Sequence, residues 1–553
     1  MGQHIRWQAI ITLTGIAMTI AFLSFLSFSR RTITIVVPEV GGKYTEGLVG
    51  TPQFINPLLA QANQVDQDLV ALIFNGLTRT DGQGQLVPDL AKRWQVSEDG
   101  LGYDFYLRQD VLWQDGQPFT ADDVLFTISL IQNADFPGIP QLATAWRAVK
   151  VEKVDNYTVH FALSEPFPSF MDFTTIGLLP AHILRDTPVE HLLYHPFNLQ
   201  PIGTGLFKLD TVNVEFARLL PNPFYYGTKP KLTQVEFRFY QTYPQIIAAY
   251  QKGEILGINY IPPEALSQAT TVENLNLYHA RLSNIALIYL NLRDEANAPF
   301  LQELEVRQAL LSALDRPTLL DRTLHGQGLV ANGVILPWSW AYNPAQPTVN
   351  FDQARATHLL TRVGWVDNNG DGILDRSGQP LEFTLLSNNE PAKIKIANFI
   401  SQQWRQVGIS TTVEIVPTGL NERLQNHTFQ AALVELHLGG DPDPYPLWHT
   451  SQIDSGQNYG GWNNRRASTL LEQARMTVNQ GQRNDRYFSF QRIFAEEMPV
   501  LAIYYPVHSY GVHQEVQEVQ ISPLLNPADR FRNIAAWYIV TSRVIHKEVG
   551  VKR

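Results

Sequence analysis

LVPDLAKRWQVSEDGLGYDFYLRQDVLWQDGQPFTADDVLFTI, Leu86 to Ile128, reads as two short strands, a turn-rich link and the start of a helix. In YDFYLR, from Tyr103 to Arg108, aromatic and apolar residues alternate with polar ones at the period of a strand with one buried face. SEDG (97–100) before it and QDG (114–116) after it carry turn chemistry. Thr120 then stands as the N-cap of FTADDVLFTISLIQNA, and Asp123, three residues on, completes a capping box. Asp122 and Asp123 fall in the first turn, where helix amides favour negative charge. Capping accounts for this acidic pair without metal or catalytic chemistry.

The same alternation of elements continues outward. VKVEKVDNYTVHFALSEPFPSF (149–170) reads as a hairpin turning at Asp155 and Asn156. Upstream, TITIVV from Thr32 is a β-branched strand, and DQDLVALIFNGLTRT (66–80) has helical apolar spacing. LTQVEFRFYQTYPQIIAAYQKGEILGINYI (232–261) predicts strand, helix, strand, as do PLEFTLL, IANFISQQWRQVG and ISTTVEIV between 380 and 416. LEVRQALLSALDRPTLLDRTL (304–324) is strongly helical. Two α/β units are therefore expected. No flexible linker separates them, so ordered crossover strands should join them, as a hinge requires.

Composition narrows the function. With 553 residues the chain can bury several cores. Its formal net charge is -10 and it has no basic tract, which argues against generic nucleic-acid binding. It has no cysteine, which excludes disulfides, thiolate chemistry and zinc sites built on Cys. Its 14 histidines form no HxH or HExxH cluster, and no GxSxG nucleophile elbow occurs. Near the N-terminus, AIITLTGIAMTIAFLSFLSF is uncharged for about 20 residues, enough for a helix to cross roughly 30 Å of hydrocarbon. It is read first as an uncleaved membrane anchor. A cleaved signal segment is the second reading, SFLSFS being a poor cleavage site.

The chain resembles the family 5 extracytoplasmic solute-binding proteins of ABC importers, the oligopeptide-, dipeptide- and nickel-binding type. The resemblance rests on Leu86–Ile128, on FNGLTRTDGQG (74–84), on PIGTGLFKL (201–209) and on VRQALLSALDR (306–316), in that order. It implies a two-lobed α/β periplasmic-binding-protein fold (type II, cluster C) with an extra α/β domain, preceded by one N-terminal hydrophobic helix. Implied boundaries are 1–31 for the anchor or signal, 32–72, 198–290 and 518–553 for the first lobe, 73–197 for the extra domain and 291–517 for the second lobe. It also implies capture of a peptide or peptide-like solute between hinged lobes, delivery to ABC permease subunits, no catalytic step and a monomer. The expected place is outside the cytoplasm, held to the membrane by the N-terminal helix, or periplasmic if that helix is cleaved. A ligand-binding sensor or chaperone-like module would share the fold. A sugar or nickel-complex carrier is a further alternative.

The expected ligand wall is LHLGGDPDPYPLWHTSQIDSGQNYGGWNN (436–464), which faces ligand in the family. Asp441, Asp443, Trp448, Asn458, Tyr459 and Trp462 are its candidates, because aromatic rings in a polar loop suggest a pocket lining. Asn463 and Asn464 serve either the cleft or turns. Tyr44, Thr45 and Glu46, after the first strand, are the candidates from the first lobe. Peptide-binding relatives place an aspartate just before the GDPD-like segment, where it pairs with the peptide α-ammonium. Here the matching position is Leu438, which leaves a blocked peptide, a sugar or another amphipathic solute open.

GWVDNNGDGILDRSGQP (364–380) spaces Asp367, Asn369, Asp371 and Asp375 like the first half of a calcium loop. The twelfth position is Gly378, not the bidentate Glu of an EF-hand, and a strand follows. The segment is read as an ordered turn with optional structural calcium. No cofactor is required.

Overall fold

The computed structural model describes residues 2–29, 32–293 and 298–547. Twelve strands make one long mixed sheet. In chain order they are β1 (Lys43–Val49), β2 (Phe207–Val212), β3 (Phe216–Pro221), β4 (Gln234–Tyr240), β5 (Gly257–Ile258) and β6 (Leu275–Arg281). Then come β7 (Asn284–Leu290), β8 (Gly328–Val330), β9 (Glu382–Ser387), β10 (Ser410–Ile415), β11 (Ala431–His437) and β12 (Val500–His513). Their spatial order is β10-β9-β11-β7-β12-β5-β1-β4-β3-β2, with β6 and β8 also pairing with β12.

β12 joins the two halves. Its first residues pair with β7 (Ile288 opposite Leu501) and its last with β6 (Tyr278 opposite Tyr510). The chain also crosses directly from β6 to β7 through Leu282 and Ser283. These are the ordered crossovers expected of a hinge. They run at about 282–283 and around Pro506; the resemblance implied lobe boundaries at 290 and 517. The physical reason is that β7 bonds to β11 in the second lobe, while the end of β12 bonds to β5 and β6 in the first.

The opening motif folds as its pattern dictates. Gly102–Leu107 alternates, with Tyr103, Phe105 and Leu107 buried, inside a four-stranded antiparallel sheet with Ala91–Val96, Thr158–Leu163 and Val149–Asp155. Thr120 caps the helix Ala121–Gln132, and Asp123 accepts from the Thr120 amide (2.9 Å) and, with its other oxygen, from the Ala181 amide (2.9 Å). Asp122 is half-buried and pairs with Lys153. In PIGTGLFKL, Gly203 and Gly205 are required by close approach: a Cβ on either would collide with the backbone carbonyls ending the helix Gln64–Ile73.

One continuous core serves the extra domain and the first lobe, running from Phe105, Trp146 and Phe161 to Tyr44, Phe237 and Trp537. The second lobe buries both faces of its sheet, one against the helices Leu304–Ser312 and Pro391–Arg405, the other against Gln480–Glu497. Among the described side chains of the N-terminal helix Gly2–Ser29, none joins these cores. Its segment Trp7–Phe25 is long and apolar enough to cross a membrane and is wholly exposed.

Candidate functional site

A cleft of about 400 Å³ opens where the extra domain, the first lobe and the second lobe meet. Its walls come from the hairpin around Gln83–Leu86, from Met171 and Asp172, from the loop Val334–Trp340, from His437–Pro444, and from Pro523 and Leu525.

The second-lobe wall follows β11, whose last residues turn at Gly439 and Gly440 into Asp441-Pro442-Asp443. Both carboxylates are already held. Arg483 donates to Asp441 through two nitrogens (2.9 and 2.6 Å), a bidentate pair, and Arg475 donates to Asp443 (2.7 Å). Burial pushes the Asp443 carboxyl up, opposed by Arg475. Arg475 in turn lies over the Tyr445 ring and over Phe167 of the extra domain.

Across the cleft, the Ser169 hydroxyl donates to Asp441 Oδ1 (2.9 Å), and Asp172 accepts from the Asp441 backbone amide. These contacts join walls 269 or more residues apart in sequence. Burial, and after it the charge of Asp441, pushes the Asp172 carboxyl up to about 6. His437 also lines the cleft, and burial pulls its imidazole down, favouring the neutral form.

Of the sequence candidates, Asp441 and Asp443 line the cleft. The others do not, and their placement corrects the expectation. Trp448, Tyr459 and Trp462 are core residues of the second lobe, 1%, 8% and 5% exposed. Trp448 packs on Tyr289 and Phe494, Tyr459 on Tyr289, and Trp462 on Phe494 while its indole donates to Glu497 (2.7 Å). Asn458 is fully buried and closes a turn, donating to the His449 and Trp462 carbonyls and accepting from the Trp462 amide. Asn464 caps the helix Arg465–Arg475, and Asn463 accepts from Thr450. The segment folds back beneath Gln480–Glu497 instead of standing in the cleft.

Tyr44, Thr45 and Glu46 lie on β1, which sits between parallel neighbours β4 and β5 with both faces covered. Glu46 and Asp68 share the guanidinium of Arg530, all three side chains being fully buried, and Tyr44 donates to Glu46. This is a core ion network of the first lobe, away from the cleft.

The sequence reading missed Trp338 and Trp340, the aromatic wall of the cleft, and Asp172. PWSWAY (337–342) offered the same signal as the chosen segment, paired tryptophans in a Pro-containing loop. Asp172 offered none: it is one acidic residue in a short helix, Phe170–Phe173, brought to the cleft only by the extra domain's fold.

The loop 364–380 turns its acids inward. Asp367 accepts from the amides of Gly370 (2.7 Å) and Gly372 (3.0 Å), Asp371 from Ile373 (2.7 Å), and Asp375 from Asn368 (3.0 Å). Asn369 donates to Asp371. Among the described residues no three acidic or imidazole groups converge as a metal cage requires.

The sequence profile of the bacterial extracellular solute-binding proteins, family 5 (Middle), matches residues 85–459. The chain belongs to this family. Relatives extend the match end to end. The chain is 28% identical to the oligopeptide-binding protein AppA of Bacillus subtilis over 550 residues, covering 97% of this chain and 99% of AppA. It is 27% identical to the dipeptide-binding protein of Escherichia coli, covering 86% and 91%. The structure of AppA in complex with a nonapeptide superposes with a TM-score of 0.74 over 91% of this chain and all of AppA. NikZ of Campylobacter jejuni, in complex with Ni(L-His), gives 0.74 at 27% identity, again over 91% and 100%. The cleft thus lies between the two lobes of a member of a solute-binding family.

Proposed function

We propose that this solute-binding protein captures a short peptide or peptide-like solute in the interlobe cleft and passes it to the membrane subunits of an ABC-type importer. The observation that carries the reading is the cleft itself, in a chain similar end to end to proteins that bind oligopeptides and dipeptides. Its volume of about 400 Å³ is that of a ligand site. Trp338 and Trp340 offer apolar faces for side chains, and the carboxylates and backbone of 437–443 offer polar anchors.

Capture and release follow from the hinge. A ligand touching both walls favours the closed arrangement by its differential affinity for it. The Ser169–Asp441 and Asp172–Asp441 contacts exist only when the walls meet, so they add to closure and must break for release. The exposed apolar segment Trp7–Phe25 of the N-terminal helix would hold the binding lobes at the outer face of the cell membrane beside the permease, or direct export if removed.

Native mass spectrometry of the isolated full chain with a library of short peptides tests the reading. Retained peptides with dissociation constants well below about 1 mM are expected. Failure of every peptide to bind would overturn it.

A further inference from the structure

The motif VRQALLSALDR (306–316) carries two arginines that capture leaves unexplained, Arg307 and Arg316, 8% and 5% exposed. Each spends its guanidinium on backbone carbonyls. Arg307 donates to Leu301, Gln302, Glu497 and Met498, none of which lines the cleft. Arg316, at the start of the helix Arg316–Leu324, donates to Ala331, to Val349 (2.5 Å) and to Ala502 of β12 (3.0 Å).

Ala331 and Val349 stand at the two ends of one irregular segment. Among the described residues, none between Val330 and Gln353 is in a helix or strand. A structureless segment longer than about 12–15 residues inside a compact domain is usually functional or disordered. This one carries Val334, Leu336, Trp338 and Trp340 to the cleft wall. Two other side chains hold one limb each. The Tyr505 hydroxyl donates to the Gly333 carbonyl (2.7 Å), and its ring meets Trp338 edge-on. Gln491 donates to the Ala341 carbonyl (2.8 Å) and accepts from the Asn343 amide (3.0 Å). Arg316 holds both limbs and fastens them to the strand that joins the two lobes.

We propose that Arg316 is a positioning residue of the cleft: by closing the base of the loop 331–349 it fixes where Trp338 and Trp340 stand, and so sets a preference for solutes with aromatic side chains. This deepens the capture function proposed above and rests on it.

The physical case is one of constraint. Behind the loop a cavity of about 40 Å³, lined by Arg316, Val334, Gln346, Val349, Phe494 and Met498, leaves its inner face loosely packed. Close packing does not lock the loop there, so the hydrogen bonds at its base carry the constraint. Burial pulls the Arg316 guanidinium down to about 10, which leaves it charged at neutral pH. Its bonds to the carbonyls are therefore charge-assisted, about twice as strong as neutral ones. The planar fork reaches carbonyls on two limbs and on β12 at once, which a single ammonium cannot do.

The test is isothermal titration of the full chain with Ala-Phe-Ala and Ala-Ala-Ala. The wild type should prefer Ala-Phe-Ala at least about fivefold, the scale of one aromatic contact. In Arg316→Lys that preference should fall below about twofold, while Ala-Ala-Ala binds within about threefold of wild type. Hydrogen exchange read by mass spectrometry should show the amides of 334–342 exchanging at least about tenfold faster, with those of β7 and β11 unchanged. Arg307→Lys is the matched control: it loses buried bonds to carbonyls away from the cleft and should keep the wild-type preference. Arg316→Met, which buries no charge, repeats the titration if the lysine variant does not fold. Failure of both to fold makes Arg316 a core residue and overturns its positioning role. A preference kept in a folded Arg316 variant, or lost equally in Arg307→Lys, overturns that role and leaves capture standing. Equal binding of the two peptides by the wild type does the same. Binding of neither peptide overturns capture and this proposal together.

Discussion

Trp448 and Trp338 both stand in Pro-containing segments, yet they end in opposite surroundings. Trp448 is 1% exposed between Tyr289 and Phe494, whereas Trp338 is half-buried on the cleft wall beside Tyr505 and Arg281. Trp448→Ala should therefore cost about 3–5 kcal/mol of stability, as a large cavity in a packed core does. A urea unfolding curve measures it. Trp338→Ala should leave the melting temperature nearly unchanged and weaken peptide binding about tenfold or more by titration calorimetry. Asp172 adds a pH dependence whose sign differs from that of a salt-bridged acid. Its carboxyl titrates near 6 in the folded chain, above the ordinary Asp value, so the native state binds more protons than the unfolded one between those values. Its contribution is favourable below that window and is lost as pH rises through it, by at most about 3 kcal/mol. Chemical denaturation of the ligand-free protein from about pH 4 to pH 7 should show this loss, and Asp172→Asn should flatten it.

Elements formed by local chemistry were legible in the sequence. The capping box of Thr120 and Asp123, the alternation of Gly102–Leu107 and the hairpin turning at Asp155 each depend on neighbours a few residues away, and each stands where the pattern put it. Thr120→Ala should cost about 1 kcal/mol, read from thermal melts. The loop 364–380 shows the limit of spacing alone. The same residues that could ring an ion instead accept from the loop's own amides, the ordinary use of Asp and Asn in turns. About 1 mM calcium is expected to leave the melting temperature in place. A rise that disappears in Asp371→Asn would assign an ion to the loop.

At the scale of the whole molecule, the chain is a two-lobed body with one helix in front of it whose segment Trp7–Phe25 is apolar and exposed. Its described side chains contribute nothing to the cores, so removing residues 1–31 should leave melting and peptide affinity unchanged. The full chain should float with liposomes in a density gradient, and the truncated chain should stay in solution. Co-sedimentation of the truncated chain to the same extent would contradict anchoring by this segment. The sequence by itself determined the α/β class, the order of motifs and hence the family, because periodicity, capping and turn chemistry act over a few residues. Only the tertiary structure decided which side chains line the cleft. Asp172 reaches the cleft because the extra domain folds against a loop 269 residues further on, and Trp448 leaves it because a helix later in the chain covers its ring. Facing is settled by such distant contacts, which no local pattern encodes.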